Sequence, residues 1–224
     1  MKRKLFIFGT GNFAEMAHYL FTTDSGYEVA GFTVDAPYLE RDSFKGLPVI
    51  AYEQFRSTAD RGEVDLYVAL GVAKINTLRA QKVAQVAADG FRLASFLSSH
   101  ARVAPDLVVH PNTMIMDQAN IHPQVQIGAD TVIWSNTRIA LKVRIGSHVW
   151  ITSAVVGDST TIGDYSFVGL NATVAPFVHV GSHNLIGAAA VILRDTKDYE
   201  IYRGPRSTAS KVSSLRIRNI PLIR

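Results

Sequence analysis

The second half of the chain places an aliphatic residue at every sixth position. Val103, Val109, Ile115, Ile121, Ile127, Ile133, Ile139, Ile145 and Ile151 keep this interval. The series resumes at Val156, Ile162, Val168, Val174, Val180, Ile186 and Ile192, one residue short at a single joint. The fifth place of each hexad is Ser, Thr, Ala or Val, apart from Leu107 and Asn184, and Gly directly follows the aliphatic residue in seven of them. A sustained six-residue period predicts a parallel β-helix whose coils share one core. Three hexads close one triangular coil, so residues 103–192 supply about five coils.

This geometry turns sequence into columns. Residues one coil apart stack about 4.8 Å apart, the interstrand spacing. With the short coil counted, Asn112, Asp130, His148, Tyr165 and His183 share a corner column, three places past each aliphatic residue. His148, Tyr165 and His183 are expected to form a stacked ladder. Two histidines separated by a tyrosine would lie roughly 9–10 Å apart, too far to share a zinc ion bound at about 2 Å, so no metal is expected. Strand side chains alternate, so the residue before each inward aliphatic points outward. On one face these are Met114, Val132, Trp150, Phe167 and Leu185, all apolar, whereas the other two faces carry residues such as Arg102, Arg138, Gln126 and Arg144. An outward apolar ribbon marks a contact surface. It is read as the subunit interface of a homotrimer, with cover by the N-terminal domain or the C-terminal tail as the alternative.

The first third reads differently. Residues 5–8 form a short apolar strand, Gly9-Thr10-Gly11-Asn12 turns into a helical run over residues 13–21, and Tyr27–Val34 is a second strand ending at Asp35. Residues 64–70 read as a strand, 75–88 as a helix and 91–97 as a last strand. Alternation of this kind predicts a parallel sheet with ligands at the carboxyl ends of its strands. Gly9-x-Gly11 is half of a dinucleotide fingerprint, with Ala at position 14, yet it follows a strand, opens a helix and precedes an acid at the end of the next strand. The helix N-terminus would offer free amides to an anion. So short a domain favours a mononucleotide or nucleotide-sugar over NAD. The expected organisation is an α/β Rossmann-like domain over residues 1–97, an all-β parallel β-helix over 98–195 and a basic tail over 196–224.

Composition narrows the function. The chain has 224 residues, 47% of them hydrophobic, and no cysteine, which excludes thiol nucleophiles and makes a cytoplasmic location the default. No apolar run reaches membrane-spanning length. The net charge of +4 is uneven: Arg203, Arg206, Lys211, Arg216, Arg218 and Arg224 crowd the end of the chain without an acid. Such a tail attracts polyphosphate, or is simply solvated, or packs on a neighbouring subunit. No nucleic-acid motif accompanies it.

Phe8-Gly9-Thr10-Gly11, Gly31-Phe32-Thr33-Val34-Asp35, Gly46-Leu47-Pro48-Val49, Val68-Ala69-Leu70-Gly71, the hexads and the closing Tyr202-Arg203-Gly204-Pro205-Arg206 together give the chain its resemblance to a known family. It resembles the NeuD/PglD-like sialic acid O-acyltransferases and bacillosamine N-acetyltransferases, over most of its length. The resemblance implies a left-handed β-helix, acetyl-CoA as co-substrate, a nucleotide-linked sugar as acceptor in glycan biosynthesis, and a trimer with active sites between subunits. It implies that Gly9, Thr10, Gly11, Asn12, Phe13, Asp35 and Gly71 hold the sugar nucleotide. Gly169, Gly187, Ala188, Ala189, Arg203, Pro205 and Arg206 would hold CoA. The chain departs from the family where a His-acid pair is usual: Leu141 and Lys142 stand there, and Trp150 replaces a second His. Leucine cannot accept a proton, so the candidate bases become His148 and Asp158, the latter one coil from Leu141. Two functions follow. One is a sugar acetyltransferase, preferring an amine acceptor. The other is a nucleotide-sugar or CoA-binding homologue that has lost catalysis.

Overall fold

The computed structural model describes residues 2–209, 211 and 213–216; Arg218 and Arg224 of the basic tail lie outside the described residues. The N-terminal domain is a six-stranded sheet of β1 (Arg3–Phe8), β2 (Tyr27–Val34), β3 (Ser43–Phe44), β4 (Leu47–Ala51), β5 (Val64–Val68) and β6 (Arg92–Leu93). Their order is β3-β4-β2-β1-β5-β6, parallel except for the β3–β4 hairpin. Helices α1 (Asn12–Thr23), α2 (Tyr52–Thr58) and α3 (Thr77–Ala88) complete it. The central strands read as apolar runs because both faces are covered; all five residues of β5 are buried. One of them, Asp65, is held by Arg3 at 2.6 Å, Arg92 Nε at 2.7 Å and the Tyr27 hydroxyl at 2.7 Å. No helix among the described residues is long and apolar enough to cross a membrane.

The hexads form a left-handed parallel β-helix of three faces with seven, six and four strands. Each strand is two residues long, and every pair is parallel and in register: Ile121 on Ile139, Ile127 on Ile145, Ile133 on Ile151. The aliphatic column fills one core, with Ile133, Ile139, Ile151, Val156, Ile162, Val168 and Ile186 fully buried. The missing residue is absorbed inside a single corner. Ile139 still pairs with Val156 and Ile151 with Val168, and Ser153 turns that corner alone at φ 43°, donating its hydroxyl to the Ser135 carbonyl at 2.8 Å.

The hexad's other preferences have the same origin. Coils lie so close that a Cβ on Gly146 would sit 2.8 Å from the Asp164 amide, and one on Gly163 would sit 2.6 Å from that of Ser182. The fifth place is small because it faces inward at a corner, and its hydroxyls bond the next coil, as Thr131 does to Gly146 O at 3.0 Å and Ser166 to Gly181 O at 3.0 Å. Asn184 breaks the rule yet is fully buried. Its amide nitrogen donates to Gly181 O, Thr196 Oγ1 and Lys197 O while its oxygen accepts from the Glu200 amide, so no polar atom is stranded.

Two expectations change. The strand read over residues 91–97 divides: Arg92–Leu93 closes the N-terminal sheet, whereas Phe96–Leu97 pairs with Met114–Ile115 and opens the β-helix. The hairpin strand β4 and helix α2 were not separated in the sequence pattern. More consequentially, the apolar ribbon is not free to meet another subunit. Met114, Val132 and Trp150 are buried in one cluster with Leu5, Ala17, Leu20 and Phe21 of the same chain, and Phe167 packs against it. Phe13 lies 4.7 Å from the Trp150 ring and Phe21 5.4 Å from Phe96, centroid to centroid. Two apolar surfaces tethered by a short connection meet at high effective concentration, so the chain's own domain covers the ribbon first. Only Leu185, at its end, stays exposed.

Trp150→Asp should therefore destabilise the chain rather than separate subunits. About 4 kcal/mol is expected for loss of a buried tryptophan, a fall of roughly 10 °C in thermal midpoint by calorimetry. Asp65 sets an acid limit. Burial opposes its charge, but hydrogen bonds from Arg92, Tyr27 and Arg3 overcome that and hold its carboxyl below the ordinary range. A lowered folded value means the stabilisation is complete above the unfolded pKa of about 4 and is lost as pH falls through the folded one. Asp65→Asn should cost on the order of 1–3 kcal/mol at neutral pH, since both arginines keep some solvent. It should also flatten the loss of stability below about pH 4, measured by denaturant titration at several pH values.

Candidate functional site

A cleft of about 800 Å³ runs along the junction of the two domains. The N-terminal domain supplies Gly9, Thr10, Gly11, Asn12, Phe13 and Met16 from the β1–α1 turn and Ala69, Leu70, Gly71 and Val72 from the end of β5. The β-helix supplies Trp134, Trp150, Thr152, Phe167, Gly169, Leu170 and Ala188 from one face and the corner that follows it.

The turn explains its glycines unequally. Gly9 sits at φ +122° with its amide donating to Thr33 O at 2.8 Å, and a Cβ there would approach Ala69 O to 3.0 Å. The fold itself requires that glycine. Gly11 has ordinary extended angles, φ −89° and ψ −175°, and a Cβ on it, or on Gly71, would meet nothing within 4 Å. Those two keep the cleft open rather than keep the chain folded. Gly11 also begins α1 with no side-chain cap, so the first amides of the helix face the cleft with the positive end of its dipole.

The cleft thus gathers Gly9, Thr10, Gly11, Asn12, Phe13 and Gly71 with Gly169 and Ala188, joining residues read as sugar-nucleotide-binding to residues read as CoA-binding. Gly187 and Ala189 flank Ala188 on the rim. The tail crosses there: a Cβ on Gly204 would collide with the Ala188 carbonyl, and Arg203, Pro205 and Arg206 stand exposed beside it. Asp35 is not part of the lining. Its carboxylate is bound by Lys82 at 2.6 Å, a lysine whose ammonium also lies 4.7 Å from the Phe8 ring centroid.

Neither candidate base lines the cleft. His148 Nδ1 is 2.9 Å from Asp130 Oδ2, and its ring is stacked at 4.7 Å on Tyr165. Tyr165 stacks on His183 at 4.6 Å, and His183 on Tyr199 at 4.7 Å. The expected ladder exists, one ring longer than the sequence suggested. Both faces of Tyr165 and His183 are taken up within the stack, while Tyr199 at its end remains exposed. Asp158 accepts the Leu141 amide at 2.9 Å. Asp164 does the same for Ser147 at 2.8 Å, Asp195 for His179 at 2.7 Å and Asp198 for Ser182 at 2.7 Å. Tying one coil's turn to the next is the common use of these carboxylates, and Asp158 follows it. Leu141 itself is exposed on another corner.

Sequence reasoning missed the aromatic floor and the far wall. Trp134, Thr152, Leu170 and Ala188 all occupy the first or second place after an aliphatic residue at one corner, so column counting held that signal. Among the described residues, none that lines the cleft carries an ionisable side chain.

Comparison with known proteins agrees with this architecture. Residues 106–140 match the bacterial transferase hexapeptide (six repeats) family. No curated protein matches the sequence. The acetyltransferase domain of PglB from Neisseria gonorrhoeae FA1090 superposes with a TM-score of 0.81 at 24% identity, covering 90% of this chain and 97% of that one. The same domain in complex with acetyl coenzyme A gives 0.71 at 24% identity, covering 91% and 97%. A histidine-to-asparagine mutant of perosamine N-acetyltransferase from Caulobacter crescentus, in complex with CoA and GDP-perosamine, gives 0.81 at 23% identity, covering 90% and 93%. The chain has their fold.

The two glycines can be told apart by stability. Gly11→Ser supplies a missing helix cap and should gain a few tenths of a kcal/mol, a rise of roughly 1 °C in thermal midpoint. Gly9→Ser forces a side chain into a disfavoured conformation and should lose about 1–3 kcal/mol in the same scan.

Proposed function

We propose that the protein transfers an acetyl group from acetyl-CoA to the amino group of a nucleotide-linked sugar. One observation carries this reading: a single cleft joins an open glycine turn at a helix N-terminus to the corner of the late β-helix coils, with no ionisable side chain between them. The first wall suits the phosphates of a sugar nucleotide. The second wall lies beside the exposed Arg203 and Arg206, which suit the phosphates of CoA. The solved relatives in complex with acetyl coenzyme A, and with CoA and GDP-perosamine, support the same pair of ligands.

The absence of a base from this wall selects the acceptor. A hydroxyl must lose its proton as it attacks, which needs a base in reach. An amine with a pKa near 8 is already partly unprotonated at neutral pH. Its lone pair attacks the thioester carbonyl, the C–N bond forms, the C–S bond breaks, and CoA leaves as thiolate while the nitrogen gives its surplus proton to that sulfur or to water. The protein's share is then alignment, for which effective molarities of about 10⁵–10⁸ M are available. The reading includes a homotrimer formed through another face, the six-stranded one, where Val155 and Val191 are exposed. It also includes a cytoplasmic place in glycan biosynthesis. The second reading, a ligand-binding homologue without turnover, is favoured by the same empty wall and by Leu141.

Free-thiol release with acetyl-CoA and a panel of UDP-, GDP- and dTDP-linked sugars separates the two. Turnover on an amino sugar, at least a hundredfold above its hydroxyl congener, is the expected result. Thermal stabilisation by acetyl-CoA without thiol release from any acceptor would establish the binding protein instead.

A further inference from the structure

Residues 69–72 form one lip of the cleft and the β-helix forms the other. The cleft's width is therefore set by how the two domains meet. Most of that meeting is apolar, and apolar contact is non-directional. Much of the directional contact comes from one column of β-helix corners. Asn112 accepts the Val68 amide at 2.8 Å and donates to the Val68 carbonyl at 3.2 Å, immediately before the lip. One coil on, Asp130 receives Arg79 Nε at 2.8 Å on its carboxylate and Arg79 Nη2 at 2.9 Å on its carbonyl. Further along the column, the Tyr165 and Ser166 carbonyls accept from Asn76 Nδ2 at 3.1 and 3.4 Å, just beyond the lip. Arg79 Nη1 closes the circuit on Asn76 Oδ1 at 3.2 Å.

The lip is thus clamped at both ends to one column, and Arg79 sits at the centre of the clamp. Its side chain and that of Asp130 are wholly buried, and its guanidinium carbon lies 5.2 Å from the ring centroid of Trp150, which lines the cleft. Lys74, Ile75 and Asn76 follow one another at φ 50°, 47° and 68°. Three successive left-handed residues, one of them β-branched, cost roughly 1–2 kcal/mol each, so the segment adopts this path because something holds it there. A buried ion pair is a poor way to add stability and a good way to fix a geometry.

We propose that Arg79 is a positioning residue. Through Asp130 and Asn76 it fixes the lip against the β-helix, and through its guanidinium it orients Trp150, so that it sets the grip on the nucleotide part of the acceptor. This rests on the acceptor reading given above.

Arg79→Met alone leaves the buried Asp130 carboxylate with only the Asn112 amide and the His148 ring for partners, so the decisive variant is Arg79→Met with Asp130→Asn, which removes both charges and should melt within a few degrees of the wild type. In it, KM for the nucleotide-linked amino sugar should rise at least tenfold with KM for acetyl-CoA within twofold. Amide exchange over residues 69–76 should quicken at least tenfold while residues 172–180 of the β-helix core stay unchanged. Asn76→Gly keeps the left-handed backbone and removes the clamp's far end. It should shift the same two quantities in the same direction, and it decides the matter if the double variant does not fold. Unchanged lip exchange overturns the proposal, and so does faster exchange with an unchanged acceptor KM, since Arg79 would then be structural alone. Failure of the wild type to acetylate any amino sugar sinks the acceptor reading separately. In that case the exchange measurement still decides whether Arg79 holds the lip.

Discussion

The rise from one coil to the next is the constraint on which the molecule depends. Parallel strands can hydrogen-bond only at one spacing, so every position of the hexad repeats at that spacing along a straight column. A column of isoleucines becomes a core, a column of glycines a close contact between backbones, and a column of rings a stack at 4.6–4.7 Å. The corners complete the rule. Asn112, Asp130, His148, Tyr165, His183 and Tyr199 all lie at φ between 55° and 64°, so each corner throws its side chain in the same direction, and whatever chemistry a column carries is aligned without further help.

That regularity is why so much of the β-helix was legible in the sequence. Its register, its single short coil and the first three rings of its aromatic ladder, His148, Tyr165 and His183, all follow from counting by six. The N-terminal sheet was legible where strands are continuous apolar runs, as at Tyr27–Val34, and less so where a strand is short and interrupted by proline, as at Leu47–Ala51. The outward ribbon showed a harder limit. Met114, Val132 and Trp150 announce that they are covered, but the pattern does not say by what. The answer lay in α1, whose Ala17, Leu20 and Phe21 needed the same shelter.

The site was half legible for a related reason. The glycine turn and the late coils carry local signals, and the structure brings them to one cleft. His148 and Asp158 were chosen because their residue types can move protons. The structure employs both in holding turns, His148 against Asp130 and Asp158 against the Leu141 amide. Arg79 had no signal at all. Nothing in a helix beginning Thr77-Leu78-Arg79 says that the arginine will lose its water to a corner 51 residues further along the chain. A wholly buried guanidinium is recognisable only once its partners at Asp130 and Asn76 have been brought around it.

The last strand among the described residues, Ile201–Tyr202, pairs there with Leu185–Ile186 alone. A spiral of identical rungs has no natural end, and its final rung offers bare amides and carbonyls to any other extended chain. Here that rung is two residues long and is followed at once by Arg203, Pro205 and Arg206. The proline has no amide to give, and the arginines repel a like-charged neighbour. Proline and like charge directly after this rung thus disfavour the pairing of a further strand against it.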